Sequence, residues 1–337
     1  MGRWLAGAAA VSILAVGALG GAWWWFDRAI QGPRAATGQL ELTVPKGASA
    51  QRVGALFVEA GLVDSPLALR IWLKLQNDLP GPKAGRHLVD RGATVPELFA
   101  RVADNPLPED VPVTLVEGWR IDEADEALAE QGRIERGAYR AAAADPEGYR
   151  IGFPVEGDSL AGYLLPETYM VPPGPIDARN LEQRQLEAFE TRFYVPHREE
   201  IARSGRSLRD LVIMASLLER EEPKPEVRPK VAGVLFKRLD AETPLGVDAT
   251  SRYPLKDWSD RRAFLKRLRD PDDPWNTRLR PGLPPGPIGA PSLPSLLAAL
   301  RPEKTRAWYY LHDARQRIHF SRTAEEHEAK RRKYDVW

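Results

Sequence analysis

The residue that most invites chemistry is Glu219, at the end of an apolar helix. Ser207 and Asp210 have the spacing of a capping box and Pro223 stops the run, so Ser207 to Glu222 reads as a helix of about four turns. At about 100° per residue, Leu208, Val212, Ala215 and Glu219 share one face, Glu222 lies near its edge, and Glu221 falls on the far side. A carboxylate that prolongs an apolar stripe either pairs with a cation or is kept protonated by desolvation. The protonated form is the one a general acid for glycosidic chemistry needs. The structural alternative is that Glu219 merely ends the helix and reaches solvent. Glu221 and Glu222 are expected to be solvated or paired with Arg220 or Lys224.

Other polar residues sit in shaped segments. Asp248 and Thr250 are two apart in a stretch that reads as extended, which would turn both toward one cleft, although the same pair could cap a turn. Asn276 and Thr277 lie beside Pro274-Trp275 and ahead of Gly282-Leu-Pro-Pro-Gly-Pro-Ile288, where proline fixes the backbone and makes a rigid holder for polar groups. His312, His319 and His327 match no metal-binding spacing, there is no cysteine, and neither a Gly-x-Ser-x-Gly elbow nor a phosphate-binding loop occurs. No metal or other cofactor is expected.

The elements that must position these groups belong to a mixed α+β fold. With 337 residues, 43% of them hydrophobic, and a net charge of +1, the chain is neither disordered nor a multi-span membrane protein, and nothing in its charge calls for nucleic acid. Strand-turn-helix patterns recur at Leu40–Val44, His87–Val89 and Val113–Val116. The middle one ends in the capping-box string Thr94-Val-Pro-Glu97. Residues Asp145 to Pro175 read as a structured loop, Asp177 to Phe193 and Val231 to Leu239 as helices, and Ala307–Leu311 with Arg317–Phe320 as a closing hairpin before a helix over Thr323–Lys333.

The run Trp4 to Phe26 carries no charge and would extend about 34 Å as a helix, enough to cross a bilayer. It ends in Trp23-Trp24-Trp25, as a membrane-interface girdle does, so an uncleaved anchor is preferred to a signal peptide. The expected organisation is a cytoplasmic tail (1–3), a transmembrane anchor (4–26), a stalk (27–38), a small module (39–108) and a larger domain (109–337), with everything after the anchor outside the cytoplasm.

Taken in order, Val44-Pro-Lys-Gly47, Val116-Glu-Gly-Trp119, Gly162-Tyr-Leu-Leu-Pro-Glu-Thr-Tyr169, Ala215-Ser-Leu-Leu-Glu-Arg-Glu221, Lys230 to Leu239, Asp248-Ala-Thr250, Asn276-Thr277, Gly282 to Ile288 and Ile318-His-Phe-Ser321 resemble the MltG or YceG-like family, the endolytic murein transglycosylases. The resemblance spans nearly all of the chain beyond the anchor. It implies a bacterial inner-membrane anchor, a LysM-like module over 39–108 and a catalytic domain over 109–337. The implied reaction is cleavage of the β-1,4 bond between N-acetylmuramic acid and N-acetylglucosamine in nascent glycan strands, which leaves 1,6-anhydro ends. The resemblance places the catalytic glutamate on Glu219, leaves Glu221, Asp248, Thr250, Tyr253, Asn276 and Thr277 as supporting or sugar-binding residues, and implies peptidoglycan synthases (penicillin-binding proteins) as partners. Where the family usually has Glu, Tyr and Gln-Ser, this chain has Ala161, Arg278 and Gly246-Val247. Two alternatives stay open: a muramidase that admits water with Asp248 as second carboxylate, and a non-catalytic wall-binding scaffold.

Overall fold

The computed structural model describes residues 17–31, 37–76 and 78–336. The chain divides into two compact units, Met1–Glu109 and Asp110–Trp337.

In the first unit, α1 is helical over residues 17–30. The expected tail and the first part of the expected anchor, residues 1–16, lie outside the described residues, and among the described residues no helix is long and apolar enough to cross a membrane. Residues 27–30, expected to begin a stalk, instead continue α1, because Ile30 finds an apolar core to enter; residues 32–36 of that stretch lie outside the described residues. Strand β1 (Gln39–Val44), helices α2 (Ala50–Glu59) and α3 (Pro66–Leu75), strand β2 (Gly85–Asp90) and helix α4 (Val95–Ala103) follow. β1 and β2 are antiparallel, with Gln39 opposite Asp90 and Val44 opposite Gly85. The helices start where hydroxyls accept their orphan amides: Ser49 from Arg52, Ser65 from Ala68, and Thr94 in a reciprocal box with Glu97. Val53, Phe57, Leu98 and Phe99 fill the core, the two rings meeting edge to face at 5.0 Å.

The second unit opens on β3 (Val111–Thr114), followed by α5 (Ile121–Glu130) and α6 (Ala138–Ala143). β3 pairs antiparallel with β4 (Thr168–Val171), a strand hidden in the segment expected to be loop because it is only four residues long and closely flanked by Pro166 and Pro172. Helix α7 (Ala178–Phe189) runs through a π turn (Glu190–Tyr194) into α8 (Val195–Arg203), well past the Phe193 end expected for it. Then come α9 (Leu208–Glu221), α10 (Arg228–Asp240), α11 (Asp248–Arg252), α12 (Arg261–Arg267) and α13 (Leu293–Leu300). The antiparallel hairpin β5 (Tyr309–His312) and β6 (Ile318–Ser321) and a terminal helix α14 (Ala324–Tyr334) close the unit.

α9 is the axis of this unit. Every residue from Leu211 to Leu218 is buried, against α13 on one side and α10 on another, so the helix has no single apolar face. The stripe that seemed to end at Glu219 is one side of a helix buried all round. Burial relaxes at its two ends, and the last turn carries Glu219 and Glu221, with the buried Glu222 as the cap.

Candidate active site

Three carboxylates at the C-terminal end of one helix oppose its dipole, so each needs a donor of its own. The structure provides three different ones. Glu219 Oε2 accepts from the Ser292 amide at 2.9 Å, the Ser292 hydroxyl at 2.6 Å and Arg228 at 3.3 Å, while Oε1 meets the other Arg228 terminus at 2.9 Å. Both side chains are almost fully enclosed, 8% and 6% exposed. Arg228 reaches this position because the Pro223–Val227 turn brings the first residue of α10 back under the end of α9, where its Nε also donates to the Glu222 carbonyl at 2.8 Å. Around the pair, the Gly118 amide donates to the Ala290 carbonyl at 2.7 Å and the Ala290 amide returns a bond to Trp119 at 2.8 Å. Gly289 permits that approach, since a Cβ there would lie 2.3 Å from the Gly118 oxygen. Of the two fates expected for Glu219, the structure shows the ion pair, and its donors fix both carboxyl oxygens.

Glu221 differs. Expected on the far side, solvated or paired with Arg220 or Lys224, it is instead partly buried under the closing hairpin and accepts the Tyr310 hydroxyl at 2.8 Å. The reason is tertiary: Tyr310 and His312 of β5 reach the Glu221 and Glu222 side chains at the end of α9, where an isolated helix would leave them to solvent. Burial lifts the Glu221 carboxyl above the ordinary glutamate range and the negative charge of Asp248 adds to this, while the Tyr310 bond and the charges of His312 and Arg278 pull the other way. Glu222 is buried and fixed by His312 Nε2 at 3.0 Å and by the Lys224 amide at 2.8 Å.

Asp248 and Thr250 do not share a face. They lie in α11, where two residues are about 200° apart, rather than in an extended segment. Asp248 is half-exposed and takes a two-point ion pair from Arg278. Thr250 and Thr277 are buried and bonded to each other at 3.0 Å; Thr277 also accepts from the Val247 amide at 3.1 Å. Asn276, fully buried, donates to the carbonyls of Arg267 at 3.0 Å and Asp270 at 2.9 Å and accepts the Arg278 amide at 3.1 Å. These three were expected to meet sugar hydroxyls; in the structure their polar atoms have partners inside the protein, Thr250 and Thr277 tying the start of α11 to the Asn276–Arg278 loop and Asn276 tying that loop to the end of α12. Tyr253 packs against Trp275 with ring centres 4.5 Å apart and, with Ala161, Arg120 and Glu123, lines an open cleft of about 520 Å³. A second groove, about 630 Å³, lined by Arg206, Phe236, Lys237 and Trp308, carries none of the sequence-selected residues, so the site is located by its carboxyl groups rather than by cavity size.

The sequence gives no site role to Tyr310, Arg228, Ser292 or His312, the last weighed only for metal-binding spacing. The one signal for Arg228 was the bare requirement that a carboxylate ending a buried helix find a cation nearby.

The sequence model of the YceG-like family matches residues 42–333. The chain belongs to that family. This YceG-like protein is 26% identical over 310 residues to the endolytic murein transglycosylase of Bacillus subtilis (strain 168), a match covering 88% of this chain and 84% of the relative. It is 24% identical over 315 residues to the endolytic murein transglycosylase of Streptococcus pneumoniae serotype 2 (strain D39 / NCTC 7466), a match covering 85% of this chain and 56% of that longer protein. A crystal structure of a YceG-like protein from Listeria monocytogenes superimposes with a TM-score of 0.56 at 23% identity, over 88% of this chain and all of that one, which shows the shared fold.

Proposed function

We propose that this YceG-like protein is an endolytic murein transglycosylase and that Glu219, on which the family resemblance places the catalytic glutamate, is its proton donor, with Glu221 beside it as a supporting carboxyl. The observation that supports the assignment is the way Glu219 is held at the end of α9: Arg228 and Ser292 fix its carboxyl oxygens in an enclosed place, while the neighbouring Glu221 accepts from the Tyr310 hydroxyl. The names of the Bacillus and Streptococcus relatives support the reaction class.

Protonated Glu219 gives its proton to the glycosidic oxygen as the C1–O4 bond of the muramyl unit breaks. The resulting carboxylate takes the proton of the muramyl 6-hydroxyl, whose oxygen closes on C1 to form the 1,6-anhydro ring. The carboxyl group ends as it began, and the attack is intramolecular, so proximity replaces a second nucleophile. Arg228 and Ser292 keep the carboxyl oriented through both transfers. A muramidase would instead need Asp248 free to activate water; its two-point bond to Arg278 favours the lytic route.

The order β1-α2-α3-β2 with antiparallel strands supports reading residues 39–108 as a LysM-like module that holds a glycan strand. The uncharged run Trp4–Phe26 supports an inner-membrane anchor with the remaining chain outside the cytoplasm, where peptidoglycan synthases would be its partners. The test is to incubate the protein with uncrosslinked glycan strands and identify the new ends by mass spectrometry. Anhydro ends are expected; reducing ends would establish hydrolysis, and strand binding without cleavage would establish a scaffold.

A further inference from the structure

The first unit keeps its large apolar side chains inside, with one departure. Beyond the Leu19–Trp25 stretch, the large apolar side chains it exposes among the described residues are Leu67 (60%), Ile71 (36%) and Leu75 (62%), all on α3. At about 100° per residue, spacings of four and eight set them in one narrow stripe, away from Ala68, Leu69 and Trp72, which α3 turns into the core. The neighbouring helices have ordinary polar outer faces: α2 exposes Gln51, Arg52 and Glu59, and α4 exposes Glu97 and Arg101. α3 carries no acidic residue. Its two cations, Arg70 and Lys74, are exposed along one margin of the stripe and have no ion-pair partner among the described residues, whereas Arg52, Arg86 and Arg101 each have one. An apolar stripe edged by free cations fits the boundary between anionic headgroups and acyl chains.

The same chain brings such a surface close. Phe26, the last residue of the uncharged run, already packs against the core of this unit, and Ile30, about 6 Å further along α1, is buried in it. A span formed by that run therefore ends at the unit itself and leaves no free linker on which the unit could stand away from the bilayer. Tethering also raises the effective concentration of the surface, so three side chains and two cations suffice. We propose that α3 is an interfacial helix that docks on an anionic phospholipid surface: Leu67, Ile71 and Leu75 enter the acyl boundary, and Arg70 and Lys74 meet lipid phosphates. This second attachment fixes how the first unit is oriented on the membrane, which one span, free to turn about its own axis, does not. The inference rests on reading Trp4–Phe26 as a membrane anchor.

The chain has no cysteine, so one introduced cysteine takes one label. The test places the full chain in nanodiscs containing phosphatidylglycerol, with a bimane on Leu67→Cys, Leu75→Cys, Glu59→Cys or Leu14→Cys, and compares quenching by lipids brominated on the acyl chain with quenching by aqueous iodide. Bromolipid quenching is expected for the labels on Leu67→Cys and Leu75→Cys and not for the label on Glu59→Cys. Arg70→Gln and Lys74→Gln should each lower the docked-to-undocked ratio read from Leu67→Cys roughly fivefold. Quenching on Leu14→Cys without quenching on Leu67→Cys and Leu75→Cys overturns the proposal and leaves the anchor standing. So does a ratio unchanged in Arg70→Gln/Lys74→Gln, or protection of the α3 labels from iodide without bromolipid quenching, which gives the face to a second copy or a glycan strand. Absence of quenching on Leu14→Cys refutes the anchor reading instead. Flotation of the full chain with phosphatidylglycerol vesicles then decides: binding lost in Leu67→Ser/Ile71→Ser/Leu75→Ser supports the interfacial helix, and binding that is absent or unchanged in that variant overturns it.

Discussion

Glu219→Gln should lose both stability and turnover, and Glu221→Gln far less of each. Changing Glu219 to glutamine keeps an acceptor for Ser292 but leaves Arg228 buried without a counter-charge. Removing one partner of such an enclosed pair typically destabilises by about 3–5 kcal/mol. For a unit of this size each kcal/mol lowers the melting temperature by about 2–4 °C, so Glu219→Gln should melt about 6–20 °C below wild type. Glu219→Met combined with Arg228→Met should recover part of that stability, because an apolar pair removes the stranded charge. Turnover per folded molecule of Glu219→Gln should fall about 10²–10⁴-fold, the usual contribution of a general acid. Glu221→Gln meets a milder situation: burial already disfavours charge on this residue, and an amide oxygen can still accept the Tyr310 hydroxyl. Its stability should stay within about 1 kcal/mol of wild type. Calorimetry at pH 7 gives the first quantity, and the rate of anhydro-end formation per folded molecule gives the second. A Glu219→Gln protein that melts with wild type would refute the stability argument, and a folded one that turns over normally would refute the catalytic assignment.

Three further outcomes follow from the same geometry. Tyr310→Phe removes a donor that favours the charged form of Glu221, so the pKa of that carboxyl should rise in a carbon-13 NMR titration of the side chain; a shift downward would contradict the hydrogen-bond pattern. Glu182 is fully buried on α7, bonded to the Tyr149 hydroxyl and raised by burial to about 8. A carboxyl whose folded pKa lies above its unfolded value binds more protons when folded, so wild-type stability should fall as pH rises from about 4.5 toward 8, and Glu182→Gln should flatten that slope in melting curves taken across the range. Thr277→Val leaves the Val247 amide without its hydroxyl partner and should cost about 1–3 kcal/mol in urea unfolding, with cleavage weakened in a stabilised background because the Asp248–Arg278 clamp loosens.

The local signals in the sequence held where the chain folds by local rules. Thr94-Val-Pro-Glu97 forms the expected box, the closing hairpin is present, and the helix bracketed by Ser207 and Pro223 begins and ends close to those residues. The failures were tertiary. A helical wheel ranks residues by one face, but α9 is buried on every side, so the wheel could not tell the carboxyl that the core encloses from the one the hairpin covers. The partner that distinguishes Glu221 lies 89 residues away, and no spacing rule links Tyr310 to it. Asp248 and Thr250 were misplaced because period-2 and short helical segments of five residues cannot be separated by pattern alone.

The distance along the chain from Glu221 to Tyr310 has a consequence for the life of the molecule. A ribosome releases α9 long before it releases β5, and domains assemble in that order as synthesis proceeds. Until the last few dozen residues have emerged and folded back over the end of α9, Glu221 has no cover and no phenol to orient it. A chain still being made, or one shortened at its C-terminus before β5, therefore lacks the Tyr310 and His312 bonds that hold Glu221 and Glu222 in place.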